Sequence, residues 1–143
     1  MQEKFAKFLS AVISAESDIL ILRIGLGLTL IYASFDIFRD PTSWIDFVPT
    51  WIEYLIPRER FLMGHALGDL VIGLGLLNNF KRMLLPLFAV LAFFNFFAIL
   101  IFYGIDAITF RDFGLSGAAL ALFVRSLQTR PVAEQPVVKN MPN

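Results

Sequence analysis

Apolar residues along this chain gather in four stretches of helical length, separated by short segments rich in charged residues, proline and glycine. The first, Ile19–Phe38, has the roughly 20 residues that a helix needs to cross a bilayer, and Arg39-Asp40-Pro41 ends it. Phe61–Asn78 is the second stretch, Leu84–Tyr103 the third and Asp112–Leu127 the fourth. The pattern predicts an all-α, polytopic membrane protein with a four-transmembrane-helix bundle.

The segments outside these stretches predict a simple organisation. Residues 1–17 carry apolar side chains at helical spacing with lysines on the other faces, which is typical of an interfacial amphipathic helix. A cleavable signal peptide is the alternative, because Lys4 and Lys7 precede the apolar run. Residues 18–127 then form the transmembrane domain. Residues 128–143 contain three prolines and no periodicity, and predict a disordered tail.

The first loop, Arg39–Arg60, is the longest and contains three prolines between tryptophan, phenylalanine and tyrosine residues. Aromatic rings at this density favour short helical segments lying at the level of the lipid headgroups. A plain soluble loop is the alternative.

Composition supports the membrane interpretation and excludes several function classes. Hydrophobic residues make up 57% of the chain and charged residues 17%, against about 45–50% and about 25% in ordinary soluble domains. The formal net charge is zero, so the chain has no excess of basic residues that would indicate nucleic-acid binding. The absence of cysteine excludes disulfides, thiol redox chemistry and iron–sulfur ligation by this chain. Lysine and arginine are enriched at both termini and in the second loop, which predicts that both termini are cytoplasmic.

Polar residues inside or beside the apolar stretches are the candidate site, because a charge at membrane depth costs about 2.5–3.5 kcal/mol on insertion scales. At about 1.5 Å rise per residue, most of them fall in the half of the bundle opposite the termini, with Arg23 approaching from the other side. The candidates for a ligand-binding site or polar core are Arg23, Tyr32, Asp36, His65, Asp69, Asn95, Arg111 and Asp112.

The spacing of His65 and Asp69 puts both on one helix face, where the pair could carry a proton or hold a ligand. The alternative is architectural: Asp69 pairs with Arg23 or Arg111, and His65 forms a hydrogen bond between helices. A metal site is not expected, since this pair supplies at most two ligands. No catalytic residue is assigned.

Small residues predict where helices approach one another closely. Gly25 with Gly27, Gly64 with Gly68, and Gly73 with Gly75 are the candidate packing surfaces.

In order and spacing, the motifs resemble the DoxX family of small prokaryotic membrane proteins. The first span carries Leu22-Arg23-Ile24-Gly25-Leu26-Gly27, followed by Asp40-Pro41 and Pro49-x-Trp51. The second span carries Gly68-Asp69-Leu70, and the fourth opens with Arg111-Asp112-x-Gly114-Leu115-x-Gly117-Ala118. The acidic residue of the second span is usually glutamate in that family, so Asp69 has one methylene less of reach.

The resemblance implies a four-helix bundle in the prokaryotic cytoplasmic membrane with Arg23, Asp69, Arg111 and Asp112 as its polar signature. It also suggests a membrane subunit or accessory of an oxidoreductase system that binds quinone or a similar amphiphile. Its partners would be the lipid bilayer, a soluble or membrane oxidoreductase subunit, and a second copy of the chain in a homo-oligomer. The alternatives are a non-enzymatic scaffold and, more weakly, a small-solute or proton transporter.

Overall fold

The computed structural model describes residues 17–78 and 82–128, and within these ranges the chain forms helices, turns and loops without any strand. The predicted all-α class is therefore confirmed. The predicted N-terminal amphipathic helix, its signal-peptide alternative and the tail from residue 129 lie outside the described residues. The long helices are α1 (Ser17–Arg39), α2 (Arg58–Leu77), α3 (Leu85–Phe102) and α4 (Phe110–Gln128); the short 3-10 helices are η1 (Pro41–Phe47), η2 (Thr50–Tyr54) and η3 (Arg82–Leu84).

The helix boundaries follow from local chemistry. Helix α1 ends at Arg39 because Pro41 lacks an N–H and disfavours helical geometry in the residue before it. Helix α2 begins at Arg58, three residues before the apolar stretch. Its first turn is polar, so the hydropathy pattern alone does not assign these residues to the helix. Helices η1 and η2 are the short helical segments predicted for the aromatic loop.

Three of the four long helices, α1, α2 and α3, are long and apolar enough to cross a membrane, which indicates a membrane protein. Their outward faces carry large apolar side chains, such as Ile21, Leu28 and Phe35 on α1. Helix α4 does not belong to this set of described spans. The predicted fourth crossing is therefore not confirmed by length and composition.

The bundle consists of two helical hairpins. Helix α1 packs mainly on α2, and α3 mainly on α4, while α1–α4 and α2–α3 form the lighter contacts between the hairpins. We call the end where α1 starts and α4 finishes the terminal end, and the end that carries η1 and η2 the long-loop end.

The close approach of α1 and α2 depends on two glycines. A Cβ added at Gly73 would lie 2.9 Å from the carbonyl oxygen of Gly27 and 2.8 Å from Cγ1 of Ile31. The prediction of tight packing at these two glycines is confirmed. Gly64 and Gly68 differ, because an added Cβ there meets nothing within 4 Å, so no other described residue packs on this predicted surface.

Buried apolar residues form two clusters. The first draws on all four long helices, with Leu26, Leu76, Ala92 and Leu122 among its members. The second joins α1 and α2 to the 3-10 helices through Ile37, Leu62, Val48 and Ile52. Helices α3 and α4 contribute no buried member to the second cluster. Among the described residues, the interior next to α3 and α4 at the long-loop end therefore has no buried apolar cluster.

Hydrogen bonds hold the long loop against the bundle. The carboxylate of Asp40 accepts from the hydroxyls of Thr42 and Ser43, each at 2.5 Å, and caps η1. Arg58 donates to Glu53 at 3.0 Å and to the carbonyl oxygens of Ile45 and Val48. The start of α2 is thereby tied to both 3-10 helices.

The connection from α3 to α4 turns at Gly104, whose φ of +99° lies in the left-handed region that glycine tolerates. The Asp106 carboxylate accepts from the backbone N–H groups of Ile108 (2.8 Å) and Thr109 (2.7 Å). These two bonds hold the pKa of Asp106 below its usual value. The buried Thr109 hydroxyl donates to the Gly104 carbonyl, so the turn orients the first residues of α4.

Gly73→Ala tests the contact between α1 and α2. The added methyl would press on the Gly27 backbone, and overpacking of this kind costs about 1–3 kcal/mol. We expect a lower thermal unfolding midpoint in detergent, measured by circular dichroism. Gly68→Ala is the matched control, since its methyl meets open space and alanine is the better helix former. Equal midpoints for the two variants would contradict the close approach.

Candidate functional site

A cavity of about 790 Å³ lies between the two hairpins on the long-loop side of the bundle. Its size is in the range of small-molecule sites, about 300–1,000 Å³. All four long helices line it, together with η1 and the turn before α4. The sequence-predicted polar residues that line it are Tyr32, Asp36, His65, Asp69, Asn95, Arg111 and Asp112.

Asp69 is the deepest charged group of the cavity along α2. It lies eleven residues into the helix, about 16 Å from Arg58 along the axis. The residue is only 3% exposed, and its Oδ1 atom has no hydrogen-bond partner. The Asn95 amide on α3 is close enough to act on the same carboxylate. A buried carboxylate oxygen without a partner is costly, and Asp69 lines a space that could hold one.

His65 stands one turn from Asp69 on the same helix, as the sequence spacing predicts. Its Nε2 lies 3.6 Å from Oδ2 of Asp69, longer than an ordinary hydrogen bond. The other side of the imidazole stacks on Phe61, with ring centroids 6.3 Å apart. Among the described residues, Asp69 therefore pairs with His65, and it does not form the alternative ion pair with Arg23 or Arg111.

Asp36 is tied to the aromatic loop. Its Oδ2 accepts a hydrogen bond of 2.9 Å from the indole Nε1 of Trp44, and the Trp44 ring contacts Phe47. Phe47 in turn contacts Tyr103 after α3, with the ring centroids 4.7 Å apart and the ring planes tilted by 41°. The aromatic residues of η1 thus connect α1 to the end of α3 across the long-loop end of the cavity.

The exposed polar residues at the edge of the cavity lie on α1 and α4, and Phe102 of α3 is an exposed apolar residue of the lining. Tyr32 on α1 is 71% exposed, and the side chain of Arg111 on α4 is 55% exposed. The Nε of Arg111 lies 3.8 Å from the carboxylate of Asp112, which is buried. A ligand entering between these helices would meet Arg111 first and the Asp69 carboxylate last.

Arg23, the remaining predicted site residue, lies away from the cavity. Its Nε donates to the carbonyl oxygen of Leu76 at 2.7 Å, and its Nη2 to that of Leu77 at 3.3 Å. The last carbonyls of a helix lack intrahelical partners and carry its negative dipole end, so a guanidinium stabilises them. The interaction is architectural and joins α1 to the last turn of α2.

The cavity contains more hydrogen-bond acceptors than donors at its charged positions. Asp36, Asp69 and Asp112 contribute three carboxylates, whereas Arg111 is the arginine of the lining. The walls between them are apolar and come from all the lining elements, with Phe96, Ile99 and Phe102 contributed by α3. Such a space suits a molecule with a polar head and an apolar body. Within the described residues, no group of three His, Asp or Glu side chains could hold a metal ion.

Sequence reasoning missed several lining residues. Trp44 is one of the aromatic residues of the first loop, but its bond to Asp36 has no sequence signal beyond an eight-residue separation. In the sequence, nothing distinguishes Thr29, Phe61 and Ala98 from the other residues of an apolar helix. Only the packing of the helices shows that they line the cavity.

No protein-family model, curated protein or solved structure matches this chain. The resemblance to the DoxX family therefore stays a prediction, and the site is interpreted from its own geometry.

Replacement of Arg23 by glutamine tests its architectural role. Loss of the charged donor from the Leu76 and Leu77 carbonyls should destabilise the fold by about 1.5–3 kcal/mol, measured by denaturation in mixed micelles. Arg39→Gln, at the exposed end of α1, is the control and should have little effect. Unchanged stability in Arg23→Gln would contradict this assignment.

Proposed function

We propose that the protein is a DoxX-type multi-pass protein of the prokaryotic cytoplasmic membrane whose cavity binds quinone or a similar amphiphile. It would act as a membrane subunit or accessory of an oxidoreductase system, because the chain contains no cysteine and only one histidine with which to hold a redox centre. The observation that carries the proposal is the Asp69 carboxylate, buried, with an unpaired oxygen, in a cavity that is otherwise largely apolar.

The groups around the cavity suit the two parts of such a ligand. His65, Asp69, Tyr32 and Arg111 would hydrogen-bond the polar head, since all four line the cavity. The apolar wall of α3 would hold the tail. The exposed edge between α1 and α4 would let the tail extend into the surrounding lipid.

The proposal includes a fourth crossing by α4. Its 19 residues span about 28 Å, close to the 30 Å of a hydrocarbon core. Three of the polar residues that lower its hydropathy, Asp112, Ser116 and Ser126, are buried inside the bundle, while Phe113 and Leu120 are exposed and the exposed Arg111 lies in the first turn. The face toward lipid is therefore more apolar than the helix average. With four crossings, the lysine and arginine bias places both termini in the cytoplasm.

Single-cysteine labelling tests the fourth crossing, because the natural chain has no cysteine. We expect Asp46→Cys and Ala107→Cys, both at exposed positions of the long-loop end, to react with an impermeant maleimide from the periplasmic side. Gln128→Cys, at the last residue of α4, should react only from the cytoplasmic side. Labelling of positions 107 and 128 from one side would show that α4 does not cross.

Quenching of Trp44 fluorescence tests the binding site, because Trp44 lines the cavity and Trp51 is the other tryptophan of the chain. In a Trp51→Phe background, decylubiquinone should quench Trp44 saturably in lipid nanodiscs. Removal of the imidazole by His65→Ala should weaken binding of the quinone several-fold, since a hydrogen bond from His65 to a quinone carbonyl contributes about 0.5–1.5 kcal/mol.

Two further variants separate binding from folding. Ala98→Phe fills the cavity without touching a polar group and should also weaken binding. Leu67→Ala, on the exposed face of α2, should not. Quinone binding that is unchanged in both His65→Ala and Ala98→Phe would overturn the proposal. Absence of binding in the natural protein would favour the scaffold alternative.

A further inference from the structure

The polar side chains that line the cavity include some without hydrogen-bond partners, and these indicate which kind of ligand the cavity can bind. Oδ1 of Asp69 is buried and unpartnered, and its Oδ2 has the His65 imidazole only at 3.6 Å. An ionised carboxylate accepts hydrogen bonds and donates none. The group that completes this site must therefore bring a donor.

The rest of the lining contains a second carboxylate of this kind. The Asp112 carboxylate is buried, and Arg111 stands 3.8 Å from it, beyond hydrogen-bond distance. The Asp36 carboxylate already has a donor in Trp44, so that indole is not free to serve a ligand. The Thr29 hydroxyl donates to the Gly25 carbonyl of its own helix. Asp69 and Asp112 are thus the two carboxylates of the lining that have no short hydrogen bond. Donors also remain at the cavity wall, on the side chains of Tyr32, His65, Asn95 and Arg111.

We infer that the cavity selects an amphiphile whose ring carries hydroxyl donors, so that of a quinone pair it binds the reduced hydroquinone rather than the quinone. The inference rests on the proposed function and adds to it the redox form of the ligand. A quinone presents carbonyl acceptors to a carboxylate, and the two repel. A hydroquinone presents an O–H group that donates to Oδ1 of Asp69 and fits the same apolar walls.

Selective binding has an electrochemical consequence. If the reduced form binds more tightly than the oxidised form, the equilibrium ratio of reduced to oxidised ligand is higher for the bound pair than for the free pair. The increase equals the ratio of the two affinities. For a two-electron couple, each tenfold preference corresponds to about 30 mV. The midpoint potential of the bound pair should therefore lie above that of the free pair in the same membrane.

The test compares decylubiquinol with decylubiquinone under anaerobic conditions. Affinities are measured by calorimetry in phosphatidylcholine nanodiscs, with partitioning into empty nanodiscs subtracted. We expect the natural protein to bind the quinol about tenfold more tightly. Asp69→Asn, whose amide brings donors into the same shape, should bring the ratio close to one. Asp46→Asn, at an exposed position of η1, is the matched control and should keep the preference.

The outcomes separate this inference from the proposed function. Equal binding of the two forms, or tighter binding of the quinone, overturns the inference and leaves amphiphile binding intact. Failure of both forms to bind overturns the proposed function as well. The ratio in the natural protein decides the question even if Asp69→Asn does not fold.

A third probe separates hydrogen bonding from charge attraction. Tetraphenylphosphonium is a lipophilic cation without a hydrogen-bond donor, and we expect it not to displace the quinol. Displacement with an affinity equal to that of the quinol would show that the cavity recognises positive charge, and would overturn the inference.

Discussion

The packing of α1 against α2 is the constraint on which the rest of the structure depends. Two contacts hold it: the backbones of Gly27 and Gly73 touch, and the Arg23 guanidinium binds the last carbonyls of α2. Both lie in the half of the hairpin nearer the terminal end. A slip of one turn, about 5.4 Å, would lose both together. The fixed register places Asp36 of α1 and Asp69 of α2 in one space, and the long loop then folds back over the end of the hairpin.

The cavity follows from how the second hairpin meets the first. Near the terminal end, residues of all four helices share one apolar cluster, and Asp18 of α1 forms a 2.8 Å ion pair with Arg125 of α4. Toward the long-loop end, the second cluster uses α1, α2 and the 3-10 helices. The space left beside α3 and α4 contains the charged groups. A cavity there lowers the cost of burying Asp69, because a ligand or water can reach its carboxylate where a packed apolar side chain could not.

Much of this arrangement is predictable from residue pattern and helix geometry. The rise per residue brings most of the polar candidates to one half of the bundle, and the four-residue spacing puts His65 beside Asp69. Other parts are not predictable in this way. The depth of a residue along a helix does not specify which neighbouring group a long side chain reaches. The sequence predicts that Arg23 approaches the other polar candidates from the terminal side, whereas in the structure it binds the last turn of α2. The bond between Asp36 and Trp44 depends on a loop path that has no periodic signal.

The sequence by itself determined the helical class, the helix boundaries to within a few residues, and the set of polar residues that must be accommodated among apolar ones. These features depend on local chemistry: proline and glycine positions, apolar run length, and spacing along one helix. Only the tertiary structure decided that the polar residues surround an open cavity, that Asp69 keeps an unpaired oxygen there, and that the exposed edge lies on α1 and α4. Those outcomes depend on how two hairpins fit together, which is a matter of side-chain volumes and backbone approach at contacts far apart in the chain.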